Sequence, residues 1–531
     1  MANRYWVSGG TGNWNSTTNW STASGGASGA SVPGSADQAL FDAASGSGTA
    51  TLDISPTIQV LNMTGFTGTL AFGTNTISVN STGVVFTGAT TMTVTGTPLI
   101  ILTNATATAR TITPTAVTEA NSISFRVTGG TGTLTLNAGS YRDLDFTDGV
   151  NPTGYAGALA GGQVISVYGN FRASTGMSQT AGTGTVNFAA TSGTKTINTA
   201  GVVFDRPFNF NGVGGTWQLQ AAFTSGATRA CTLTNGTLNL NNYTLTTGTF
   251  NGSNSNVRTL AFGATGNITL TGNSATIWST NTSTNLTVTG TPTINATYSG
   301  ATGTRLLSGP GGNNESTTFN VNITAGTDTV TVSNSLSRNL NLTGFAGTWN
   351  LSSTSMFGNL VLPAGLVGIT GSGVLTFFGS ASGPATVDFG GNPLNASGTG
   401  PVINASGRVV SFVSAFTSSV VGITLTAGTL ELPAGLTTTC ASFTAAAGAQ
   451  RYLQSTTPGV QATLSDASGT NNLFNVTIQD IDATGGAIWN AYYSNGNEDA
   501  GNNTGWDFGG TPAVSAEVTY RLRSFTEPRR F

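Results

Sequence analysis

Two pairs of carboxylates have the type and spacing to do chemistry. Asp143 and Asp145 stand two residues apart in Tyr141-Arg142-Asp143-Leu144-Asp145-Phe146. On a strand such neighbours share a side and lie about 6.5 to 7 Å apart, which suits two carboxyl groups flanking a glycosidic bond. The same alternation sends Leu144 and Phe146 inward and leaves both aspartates on the solvated side, so the segment also reads as the polar face of an ordinary rung. Asp480 and Asp482 follow Val476-Thr477-Ile478, where a turn or cap should begin. Asn495, Asn497 and Asp499 alternate oxygen-bearing side chains somewhat as calcium loops do. The Gly position and the terminal bidentate Glu of an EF-hand are missing, so a turn-rich cap anchored by Trp506 and Phe508 is the expectation there.

The rest of the chain supplies little to work with these groups. Histidine is absent, which removes Ser-His-Asp and Cys-His catalysis, imidazole metal sites and the commonest general base. Cys231 and Cys440 form no C-x-x-C pair and read as small core residues. Gly309-Pro310-Gly311-Gly312 and Thr128-Gly129-Gly130 lack the Gly-Lys-Ser/Thr ending of a phosphate loop and read as turns. The expectation is a chain that is not an enzyme and holds no catalytic residue, metal or cofactor.

The elements that carry these residues are short strands. Asn285-Leu286-Thr287-Val288-Thr289-Gly290, Asn320-Val321-Asn322-Ile323-Thr324-Ala325-Gly326 and Asn339-Leu340-Asn341-Leu342-Thr343-Gly344 share one design. Apolar residues alternate with Thr or Asn, and Gly or Asn at the ends supplies the positive φ of a turn. Asn320, Asn339 and Asn359 are spaced by 19 and 20 positions, near the 20-odd residues one coil of a β-solenoid consumes. At roughly 20 to 25 residues per coil, residues 46–480 make about 17 to 22 coils. No segment runs at helical spacing for long; residues 116–121 are the nearest candidate and too short to stand alone. The fold class expected is all-β, a parallel β-helix or β-solenoid with capped ends.

Composition agrees. Gly fills 74 of 531 positions and only 7% of residues are charged, so neither ion pairs nor charge-dressed helices can dominate. Yet 38% of the chain is apolar, in short alternating runs, which calls for a packed core. The net charge of −3, with charges scattered singly, leaves no basic stripe for a nucleic-acid backbone, and no stretch approaches 18 apolar residues, so neither nucleic acid nor membrane is an expected partner. The opening Met-Ala-Asn-Arg-Tyr-Trp-Val-Ser-Gly-Gly lacks the apolar segment of a secretory signal.

Longer self-similarity marks internal duplication. Ala222-Phe223-Thr224-Ser225 recurs as Ala415-Phe416-Thr417-Ser418, and Phe250 and Arg258 recur as Phe443 and Arg451, each at an offset of 193. The copies span about 222–262 and 415–455. A second pair, beginning at Leu61-Asn62-Met63-Thr64-Gly65-Phe66 and Leu340-Asn341-Leu342-Thr343-Gly344-Phe345, lies 279 apart. The body at 46–480 is flanked by an N-terminal capping or attachment segment at 1–45, a C-terminal cap at 481–510, and a tail at 511–531. Trp14 and Trp20 can plug the first end. The tail carries Arg521, Arg523, Phe525, Arg529, Arg530 and Phe531, types enriched at interface anchors, and is the candidate docking segment.

The G-x-G-x-W-x-x-x-x-N-W opening at Gly10 to Trp20, followed by repeated strands such as Gly215-Thr216-Trp217-Gln218-Leu219 and Asn241-Asn242-Tyr243-Thr244-Leu245-Thr246, resembles the β-solenoid proteins of tailed-phage fibres and related repeat-rich surface adhesins. The resemblance covers most of the chain and rests on loose motifs. It implies a structural virion protein on the external surface, a tail fibre or capsid decoration that contributes to adhesion. It also implies a homo-oligomer, with a trimer favoured, whose partners are other virion proteins and host-surface glycan. The alternatives are a polysaccharide-cleaving tailspike and a bacterial surface adhesin.

Overall fold

The computed structural model describes residues 1–114, 118–312, 314–379, 383–394 and 400–510. The candidate docking tail, and with it Arg521, Arg523, Phe525, Arg529, Arg530 and Phe531, lies outside the described residues. The chain is all-β, a parallel β-solenoid of about 20 turns; the described residues hold four three-residue 3-10 turns and no α-helix. None of their helices is long and apolar enough to cross a membrane. Thr118–Asn121, from the segment nearest to helical spacing, are not helical.

The solenoid follows from the alternation. Ile268 pairs in register with Ile294, Ile294 with Val321 and Val321 with Leu340, each on the next coil and each fully buried. One residue further, Thr269, Asn295, Asn322 and Asn341 form a matching outward column. A buried aliphatic side chain contributes roughly 1.5 to 3 kcal/mol, and no coil can bury its row except against its neighbours. On the outer face amides bridge coils: the Asn322 side chain donates to Asn295 Oδ1 at 2.9 Å and Asn339 to Asn320 Oδ1 at 2.7 Å. Coil length varies more than the sequence spacing implies. Paired Asn320 and Asn339 are 19 residues apart, whereas paired Thr276 and Leu306 are 30 apart. Corner loops take up the difference, since insertions at the surface leave the ladders intact.

Two compact units divide the chain. The first comprises Met1–Met356 with Val361–Gly368, and the second Phe357–Leu360 with the described residues from Ile369 onward. The first unit begins with an edge cover. Ala2–Trp6 pairs parallel with Asp37–Leu40 on one side and antiparallel with Trp20–Ser21 on the other, Trp6 opposite Trp20. Trp14 and Trp20 are both fully buried and meet edge-on at 4.9 Å, with Trp20 Nε1 donating to the Trp14 carbonyl at 2.8 Å. Phe41 packs against Trp6, Trp14, Trp20 and, at 5.1 Å, Phe66. In the second unit Val402–Phe412 and Ile423–Leu432 are long parallel neighbours, and Arg451–Ser455, Val476–Gln479 and Glu498–Asp499 continue the ladder. Trp506 is half-buried edge-on against Trp489, and Phe508 stacks on Tyr493 at 5.4 Å.

The repeated segments fold alike. Gly65 and Gly344 both have positive φ, of 86° and 95°. Three residues on, a side chain at Gly68 or Gly347 would collide with the carbonyl of the previous coil and with the ring of Phe66 or Phe345. Arg258 and Arg451 are both buried and both donate to backbone carbonyls. Cys231 and Cys440, one per unit, are free and buried; burial raises both thiols, that of Cys440 to about 12.

Candidate functional site

The first unit carries an open groove of about 890 Å³ on one face of the solenoid wall. Its floor consists of two adjacent outward columns. One runs Arg126, Asp145, Arg172 and Asn198, each in register with the next across successive coils. The other runs Ser124, Asp143, Asn170 and Thr196, joined by side-chain hydrogen bonds. Beneath both, Phe125, Leu144, Phe171 and Ile197 form the buried row that fixes the wall.

A β-bulge gives this rung its extra functional group. Between Ile123 and Phe125 the lower strand has one residue, but between their partners Tyr141 and Leu144 the upper strand has two. Both Tyr141 and Leu144 are buried, so Arg142 and Asp143 face outward side by side. Bulges re-aim side chains in this way and recur beside binding and catalytic sites. Two glycines make room. A Cβ at Gly169 would stand within 3.0 Å of Asp143 Oδ1 and Cγ, and one at Gly149 within 3.0 Å of the Arg126 guanidinium.

Each carboxylate is already held by fixed donors. Asp143 accepts from the Ser124 hydroxyl at 2.6 Å, the Asn170 backbone N–H at 2.7 Å and the Asn170 amide at 3.2 Å. Asp145 pairs with Arg126 Nε at 3.0 Å and accepts from the Thr147 N–H and hydroxyl at 3.0 and 2.6 Å. The pair is part-buried, with side-chain exposures of 31% for Arg126 and 15% for Asp145. Arg142 and Arg172 are different. Arg142 donates to the carbonyl of Ala120 at 3.1 Å, and Arg172 donates to the Val150 carbonyl at 3.4 Å; neither forms an ion pair among the described residues. The nearby Asp148 carboxyl is held below its usual range chiefly by the Asn151 amide, then by the N–H groups of Val150 and Asn151, with only a small influence from Arg172.

No family model, curated protein or solved structure matches the chain.

The sequence pointed to Asp143 and Asp145 and missed Arg126, Asn170, Arg172 and Asn198. These residues stand beside the aspartates only through coil register, and the intervening lengths are unequal: 19 residues from Arg126 to Asp145 and 27 from Asp145 to Arg172. The other sequence candidates gather elsewhere and do not form a comparable site. Asp480 is buried at a φ of 59°, taking the Gly459 N–H and the Asn502 amide, while Asp482 faces outward and accepts from Thr504. Asn497 is buried and binds the Leu473 and Tyr492 carbonyls, and Asp499 accepts from Gly501 N–H and the Asn503 amide. These oxygens hold backbone turns together. Trp14 and Trp20, inside the N-terminal cluster, present no face to a ligand.

Proposed function

We propose that this chain is a structural protein of a virus particle's external surface, a fibre or capsid decoration of a tailed phage, which uses the groove to hold host-surface glycan without cleaving it. The observation that carries the non-enzymatic part is the engagement of Asp143 and Asp145. A general acid must keep a proton free for the leaving-group oxygen. Asp143 spends both oxygens on fixed donors, and Asp145 is tied to a guanidinium. A carboxylate oxygen carries two lone pairs, so Oδ2 of Asp143 and of Asp145, each with one donor, can still accept a sugar hydroxyl group. The virion setting is supported by the resemblance of the Gly10 to Trp20 opening and the repeated strands to fibre proteins, and by a wall whose outer columns are Thr and Asn. A homotrimer and docking of the tail at 511–531 onto another virion protein belong to the same proposal.

Gold-labelled antibody against the purified chain, applied to intact particles, tests it: label on fibres or capsid surface is expected. Particles without label, and label on the cell envelope, would favour a bacterial adhesin. A second reading, a polysaccharide-cleaving tailspike, is favoured by one specific feature, two aspartates of neighbouring strand positions in a single groove.

A further inference from the structure

The groove's charges point to what it holds. Arg126 and Asp145 neutralise each other, and Asp143 contributes one negative charge. Arg142 and Arg172 contribute two positive charges and form no ion pair among the described residues; Asp148, which feels Arg172 only weakly, is not among the groove's lining, which is therefore net cationic in a chain whose overall charge is −3. A guanidinium presents paired donors that match a carboxylate in two parallel bonds. Around them Asn198 and Gln220 line the groove, their amide N–H groups without a partner among the described residues, and Asp143 with its Asn170 support offers an acceptor to hydroxyl groups.

The form of the groove selects among anionic polymers. Its floor is the face of a parallel sheet spanning several coils, at about 4.8 Å per coil, so it accommodates a chain rather than a single ion. A peptide would bind by adding to a strand edge, by laying a helix in an apolar cleft or by docking Pro on aromatic residues. The floor here is all side chain, its strands are paired on both sides, and its one aromatic lining residue, Phe125, is buried. Single-stranded nucleic acid would likewise require exposed stacking platforms.

We infer that the groove binds an acidic oligosaccharide, one carboxylate of which sits on Arg172 and whose hydroxyl groups pair with Asp143, Asn198 and Gln220, while Arg142, turned toward the Ala120 end of the rung, adds a second cationic contact. This rests on reading the groove as the glycan contact of the appendage. Recognition of the acid is a further claim, because a neutral glycan would satisfy that reading equally.

The test uses the full chain on an array of immobilised acidic and neutral oligosaccharides, followed by titration of the retained glycan and of the same glycan with its carboxyl groups reduced to alcohols. Retention of uronate-type or sialate-type glycans is expected, with affinity falling tenfold or more on carboxyl reduction and also in Arg172→Gln. Carboxyl reduction leaves the protein untouched, so misfolding of a variant cannot imitate the result. Equal affinity for the reduced glycan would overturn the acid assignment and leave the glycan reading standing. Retention of neutral glycans alone, or of none, would overturn the inference. Displacement by inorganic phosphate at concentrations matching the glycan's would also overturn it, by showing an anion site indifferent to the sugar.

Discussion

Gly169 lies so close beneath the Asp143 carboxylate that no side chain fits between the Gly169 backbone and Oδ1. The adjacent Asn170 N–H then donates to that oxygen at 2.7 Å. Gly169→Ala should push the carboxylate off this donor. Hydrogen bonds to charged groups contribute roughly 1.5 to 3 kcal/mol, so amide exchange at Asn170 should speed up by about tenfold or more while distant coils keep their protection. Unchanged protection at Asn170 would mean that the carboxylate position does not depend on this clearance.

Arg305 and Asp328 form a fully buried ion pair in the first unit, Nε to Oδ2 at 2.7 Å and Nη2 to Oδ1 at 2.8 Å. The guanidinium also lies over the rings of Tyr298 and Phe345, at 5.4 and 5.8 Å. Removing one partner strands the other charge, at a typical cost of about 3 to 5 kcal/mol, whereas an apolar pair of similar volume is often neutral. Asp328→Ala should therefore lower the urea midpoint clearly, and Arg305→Met with Asp328→Leu should recover much of the loss. A double variant worse than the single one would contradict the desolvation argument.

Alkaline pH should loosen the wall at Tyr155. Its hydroxyl donates to the carbonyls of Gly132 and Ala158 at 2.7 and 2.8 Å, and burial pushes the phenol up to about 12. The folded state keeps a proton that the unfolded phenol releases near pH 10, so this stability is complete below about pH 10 and is lost as pH rises towards 12. The stability difference between the wild type and Tyr155→Phe should shrink across that window by up to about 1.4 kcal/mol per pH unit. Parallel profiles from urea melts at successive pH values would count against it.

Residues 1–42 protect an edge. Asp37–Leu40 covers the strand Val60–Asn62, and Phe41 covers Phe66. Without them a parallel edge and an aromatic surface would be open to another chain. A chain beginning at residue 43 should elute as higher oligomers under conditions where the full chain keeps a single defined size, as read by light scattering.

The alternation of Leu, Ile and Val with Thr and Asn was enough to read the parallel coils, because period two allows only one face inward and Gly or Asn must close each turn. At Asn285, with φ of 57°, and Gly290, with φ of 84°, that turn chemistry is realised as the sequence implied. Arginine was harder to read. Arg110, Arg206, Arg258, Arg305 and Arg451 look like scattered surface charges along the chain, yet all are buried and all donate to backbone carbonyls. The site was half legible for a related reason. Asp143 and Asp145 announce themselves as neighbours on one strand, but Arg172 joins them only after 27 residues of coil whose length no local pattern sets.

The central claim, a groove that holds glycan and does not cut it, is tested most directly by incubating the purified chain with acidic host-surface polysaccharide and following retention and reducing ends in one reaction. Saturable retention with no new reducing ends is the predicted result. Release of reducing ends that disappears in Asp143→Asn would contradict it and make the groove an active site.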